Sequence, residues 1–82
     1  RMLEAASNLT LQTCPIGRSS CVVRMSMCPE DCRRLRELGI GPGVTLVVAQ
    51  RTAFGGRLVQ VGADRFALDA ATAAGIEVEC VA

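Results

Sequence analysis

The chain has 82 residues, nine of them arginine and eight acidic, with no lysine, no histidine and a net charge of +1. So small a net charge removes the strong electrostatic pull on which binding to nucleic acid or anionic lipid rests. The missing histidine removes the commonest general base and metal ligand, and no apolar run approaches the roughly 20 residues a helix needs to cross a bilayer.

Half of the residues are hydrophobic, yet only Phe54 and Phe66 are aromatic. The core of a single domain of this length must therefore come from Val, Leu, Ile, Ala and Cys. The chain begins at Arg1, and residues 1–8 read as a flexible tail ahead of one domain over 9–82. No basic-then-apolar leader pattern is present, which points to a cytoplasmic protein. Leu9 to Cys14 alternates weakly and predicts a first strand, closed by a turn at Pro15 and Gly17. Ser20 to Met25 predicts a second, with the inward residue of Val22 and Val23 left open.

Cys28-Pro29-Glu30-Asp31 is a helix start. Proline suits the first helical position, and the two acids sit beside the positive end of the dipole. The helix runs from about Pro29 to Leu38, with Cys32, Leu35 and Leu38 on its apolar face. Gly39 is its stop, taking the left-handed conformation that other residues avoid. Ile40 then meets Leu35, as in a Schellman ending. Gly41-Pro42-Gly43 turns into a β-branched strand, Val44–Gln50. After a loop at Thr52–Gly56, Arg57–Val61 and Arg65–Leu68 form a hairpin joined by Gly62-Ala63-Asp64. A helical turn is expected near Ala70 to Ala74, stopped by Gly75. Ile76–Val81 alternates, with Ile76, Val78 and Cys80 on the inner side. Five to six short strands with one short α-helix predict a mostly β fold, a closed or nearly closed small barrel.

Few residues offer chemistry. Cys28 and Cys32 share a helix start, where thiolate is favoured, and Cys14 and Cys21 could add ligands. However, the spacing of 14, 21, 28 and 32 matches no common zinc pattern, and cysteine is more often a small buried hydrophobe. No native metal is expected; if one binds, Cys28 and Cys32 are its ligands. Five cysteines, an odd number, and no secretion signal argue against a disulfide framework. The acids stand apart and no serine has a base, so catalysis is not expected. Arg33, Arg34 and Arg36 make a small basic surface without the aromatics that stacking on nucleic acid needs. Arginine also favours protein contacts. Phe54, between small residues on a loop, reads either as a partner anchor or as a lid folded over the barrel end.

The order Arg34-Leu35, Leu38-Gly39-Ile40, Pro42-Gly43 and then a β-branched strand resembles the FeoA family, the small ferrous iron transport A chains. Leu11 and Gly17 resemble that family's opening strand and turn, and Ala53-Phe54-Gly55-Gly56 resembles its short loop. Phe66-Ala67-Leu68 and Ile76-Glu77-Val78 resemble its last hairpin and strand. The resemblance spans Leu9 to Val81 and implies an SH3-like barrel with one helix between the second and third strands. It also implies a non-catalytic, cofactor-free cytoplasmic accessory that binds and modulates the cytosolic part of the ferrous iron permease FeoB. No nucleic-acid binding and no membrane insertion are implied, and weak homodimerisation is a further expectation. Arg33, Arg34, Arg36, Phe54 and Arg57 are the expected partner contacts. Two positions depart from the family pattern: Gly56-Arg57 replaces Asp-Pro, and Asp69 replaces an arginine. Two alternatives to the accessory role are a thiolate protein that senses or carries zinc or iron, and a detached regulatory domain like that of iron-dependent repressors.

Overall fold

The computed structural model describes residues 9–81. The expected tail 1–8 lies outside them. Six strands form one antiparallel sheet: β1 (Leu9–Thr10), β2 (Ser19–Met25), β3 (Thr45–Arg51), β4 (Arg57–Val61), β5 (Asp64–Leu68) and β6 (Ile76–Cys80), in the order β1-β6-β2-β3-β4-β5. Helix α1 (Pro29–Glu37) connects β2 to β3, and the short helix α2 (Ala70–Ala74) connects β5 to β6.

Local chemistry accounts for most of these boundaries. Cys28 is the N-cap of α1 and makes no side-chain cap bond, while Pro29 opens the helix and Glu30 and Asp31 occupy its first turn. At the other end Gly39 sits at φ 92°. Its N–H donates to Arg36 O at 2.9 Å, and the Ile40 N–H donates to Leu35 O at 2.9 Å. Those two bonds are the Schellman pair, and they carry Ile40 into the core beside Leu35. In the β4–β5 hairpin Val61 pairs with Asp64, so the connection is the two residues Gly62-Ala63, and Asp64 belongs to the strand.

The core is built from the strands and the turns between them, joined by Leu35 from α1 and Ala73 from α2. Leu11, Ile40, Leu46, Val48, Val59, Ile76 and Val78 are fully buried, and Leu35, Leu68 and Ala73 join them. Each large aliphatic chain removed from water stabilises the fold by about 1.5–3 kcal/mol. Aliphatic residues dominate this core, with Phe66 only partly buried at its edge.

Two bulges were invisible in the sequence. The β2–β6 register shifts between Val22 and Arg24. Val22 is buried and the extra residue, Val23, is 46% exposed, which resolves the open orientation of that pair. The β3–β4 register shifts in the same way between Val48 and Gln50, around Ala49.

The sheet does not close through its backbone, since β1 and β5 remain its two edges. The first strand is also shorter than expected: after Thr10 the chain turns, with the Thr13 and Cys14 N–H groups both donating to Thr10 O. Polar side chains span the seam instead. Gln12 Nε2 donates to Gly55 O at 2.7 Å and to Ala70 O at 3.3 Å, and Arg57 Nη2 donates to Gln12 O at 3.0 Å. The turn after β1 is thereby tied both to the loop before β4 and to α2.

Candidate partner-binding surface

Helix α1 holds Arg33, Arg34 and Arg36 on its exposed side. Arg33 pairs with Glu37 at 3.3 Å, and Arg34 with Glu30 at 3.7 Å and Asp31 at 3.8 Å. These are exposed pairs of neighbouring turns, worth a few tenths of a kcal/mol each. Arg36 makes no ion pair among the described residues, and its stem lies over Gly41, where an added Cβ would stand 3.3 Å from Arg36 Cγ. Leu38, expected on the apolar face, is 42% exposed.

Between α1 and the end of β5 runs a shallow groove of about 340 Å³. Leu35, Leu38, Ala67 and Leu68 form its apolar part, and Asp31, Arg34, Asp69 and Thr72 its polar part. No local pattern signals it, because the helix and β5 meet only through tertiary packing. Asp69 has a local task here. It is the N-cap of α2, its carboxylate accepting from the Thr72 N–H at 2.8 Å. Bonds from the Thr72 side chain and N–H hold its carboxyl below the ordinary range.

Phe54 and Arg57, expected together on a partner-facing loop, part company. Thr52–Gly56 is a tight turn, not an open loop. The Gly56 N–H donates to Ala53 O at 3.2 Å, and the central residues Phe54 and Gly55 both have positive φ, 58° and 80°. The Phe54 ring is 99% exposed, so it does not fold over the barrel end. Arg57 is buried, against expectation. Its Nη1 donates to Gly55 O at 3.1 Å and Gly56 O at 2.8 Å, and its Nη2 reaches Gln12 O. Neither Gln12 nor the inward turn of Arg57 could be read locally, since 45 residues separate the two.

All five cysteines are free. Cys28 is exposed, and Cys32 is half-buried with its thiol 3.6 Å from Met27 O. Among the described residues no group of three or more His, Cys, Asp or Glu side chains could hold a metal ion. Cys14 is buried as expected, though in the turn after β1 and not in a strand. Burial pushes its thiol pKa up, opposed in part by a hydrogen bond with Ser20. Cys80, placed by its alternation in the core, is exposed at the last position of β6.

A six-stranded antiparallel sheet wrapped on an aliphatic core, with one helix between its second and third strands, is the SH3-like class of small binding domain. A model of the FeoA domain matches residues 9–80, and the chain belongs to the FeoA family, a family of ferrous iron transport. No curated protein sequence matches it significantly. Among solved structures it is similar to the FeoA of Stenotrophomonas maltophilia complexed with zinc, described as a prokaryotic SH3 domain protein. The two are 36% identical, with a TM-score of 0.69 over 87% of this chain and 89% of that one. It is also similar to iron(II) transport protein A from Clostridium thermocellum, at 24% identity and a TM-score of 0.80 over 89% of this chain. This chain spans only 46% of that one's length. The manganese regulator SloR shares the fold alone, at 16% identity and a TM-score of 0.76 over 88% of this chain and 34% of its own. Among the described residues no helix is long and apolar enough to cross a membrane.

Proposed function

We propose that this chain is a non-catalytic, cytoplasmic accessory of ferrous iron uptake that binds the cytosolic part of the FeoB permease and modulates it. The observation that carries this reading is the match to the FeoA domain over residues 9–80. The site supports it in kind. A shallow groove and exposed side chains suit a protein partner better than a small substrate, which needs a concave pocket with converging polar groups. Partner contact is assigned to Arg33, Arg34 and Arg36 on α1 and to Phe54 on its turn; Arg57 serves that surface from inside. Arg36, with no ion pair among the described residues, is the freest of the three helix arginines to take a new carboxylate.

A calorimetric titration of the folded chain into the isolated cytosolic domain of the permease tests the reading. Saturable heat with one-to-one stoichiometry supports it, and a flat titration with folded protein overturns it. The likeness to SloR favours a second reading, a regulatory domain, which predicts instead that the chain binds a DNA-reading domain.

A further inference from the structure

Phe54 combines two features that folding does not ask of it. Its ring is 99% exposed, and its backbone sits at φ 58°, ψ 34°, the one positive-φ residue other than glycine among those described. The turn Ala53–Gly56 has positive φ at both central positions, the type I′ arrangement, whose first central residue is ordinarily Asn, Asp or Gly. An asparagine there would relieve the backbone strain and remove the exposed ring together.

The strained turn is held from within. Arg57 Nη1 donates to Gly55 O and Gly56 O, Gln12 Nε2 donates to Gly55 O, and the Thr52 N–H donates to Gly56 O at 3.0 Å. Every one of these bonds uses a carbonyl just after Phe54, so the ring is presented on a braced support. A lone aromatic is too small an anchor for a bilayer, which binds through a broad apolar face backed by basic residues. It does fit a protein interface, where a few aromatic residues in desolvated pockets carry most of the energy. The small exposed neighbours Ala53 and Gly55 let the walls of a socket close around it. An aromatic ring also has few torsions to order on binding. Arg51 ends β3 just before the turn, exposed and without an ion pair among the described residues. It calls for an acidic group at the socket rim.

We propose that Phe54 is the anchor that docks this chain into an apolar, acid-rimmed socket on the cytosolic part of the permease, and that Gln12 and Arg57 are positioning residues that hold the ring presented. This rests on the permease reading above and narrows it to one side chain.

The test is calorimetric titration of the full chain and its variants into the permease's cytosolic domain, with a thermal melt of each variant. Phe54→Ala weakens binding about tenfold to a hundredfold, the range expected for one buried aromatic anchor. Phe54→Asn weakens it as much while melting at or above the wild-type temperature, which separates lost contact from lost fold. Gln12→Ala weakens binding in the wild-type background and has no further effect in the Phe54→Ala background, as a positioning role requires. Arg51→Glu weakens binding, and added salt weakens the wild type. If the wild type binds and Phe54→Ala binds equally well, the anchor is refuted and the permease reading stands. If the wild type does not bind, both fall. Independent effects of Gln12→Ala and Phe54→Ala refute the positioning role. Sedimentation showing that Phe54→Ala abolishes self-association, with permease binding intact, would make a second copy the occupant and overturn the proposal.

Discussion

Replacing Arg57 by methionine tests whether the guanidinium ties the turn after β1 to the turn before β4. Methionine keeps an unbranched apolar stem about as far as the Nε position, ends short of the guanidinium, and has no donor. The substitution takes three hydrogen bonds from a charged group to Gly55 O, Gly56 O and Gln12 O. A bond to a charged group is worth about 1.5–3 kcal/mol net, but the three losses are unequal. Gly55 O keeps the Gln12 amide, and Gly56 O keeps the Thr52 N–H; Gln12 O loses its side-chain donor. Against these losses, the change removes a buried Nε that has no partner and ends the desolvation of a cation. The balance is a loss of about 2–4 kcal/mol, in a domain whose total stability is roughly 4–12 kcal/mol. At about 4–8 °C per kcal/mol, the melting midpoint drops by roughly 8–32 °C. The chain has no Trp or Tyr, so far-ultraviolet circular dichroism is the assay. Arg57→Lys recovers part of the loss, because an ammonium cannot span both sides of the seam with a planar fork. A midpoint for Arg57→Met within about 2 °C of wild type would refute the reasoning, showing that the buried cation only offsets its own desolvation.

Gly39→Val costs about 1–3 kcal/mol in a urea melt, from backbone strain alone, because nothing lies within 4 Å of an added Cβ; Gly39→Asn costs less. Leu35→Ala costs about 2–5 kcal/mol, since Leu35 is buried, while Leu38→Ala changes the same midpoint by less than about 1 kcal/mol. Cys14 reacts last with a thiol reagent under native conditions, after exposed Cys28 and Cys80. Its raised pKa means that the folded state holds the proton more tightly than the unfolded chain. The resulting stability is complete below pH 9.0 and is lost as pH rises above it, and Cys14→Ala flattens that alkaline limb. Arg36→Glu weakens binding to the permease domain more than Arg33→Glu does, because Arg33 already engages Glu37 and Arg36 has no such partner among the described residues.

What could be read from the sequence was local. The helix stop at Gly39 and the Leu35–Ile40 contact depend on residues within one turn of each other, and both formed as expected. The hairpin and the helical turn at Ala70–Ala74 are equally local, and each lies where its glycine and alanine signals put it. The bulges at Val23 and Ala49 are properties of pairing and not of either strand, so alternation along one strand could not locate them. Alternation also put Cys80 inside, because period two says which side a residue faces and not whether anything covers the end of the strand. Arg57 was misplaced for a related reason. An arginine beside glycines on a loop looks solvated, and only the approach of Gln12 from a distant turn supplies the carbonyl that draws it in.

Both departures from the family pattern have a local task in the fold. Asp69, where an arginine is usual, caps α2. Arg57, where a proline is usual, braces the turn before β4. Arg57 is buried and cannot change the sign of a partner surface, whereas Asp69 is exposed at the groove and keeps its negative charge there. The chemistry that folding leaves unused is narrower than the basic helix suggested. Arg33 and Arg34 are occupied by acids on their own helix, leaving Arg36 there and, beyond β3, Arg51 and a strained, fully exposed Phe54. The polar bonds that close the seam between the turn after β1 and the turn before β4 are the same bonds that brace this phenylalanine. Loosening that seam should therefore weaken partner binding before it unfolds the sheet.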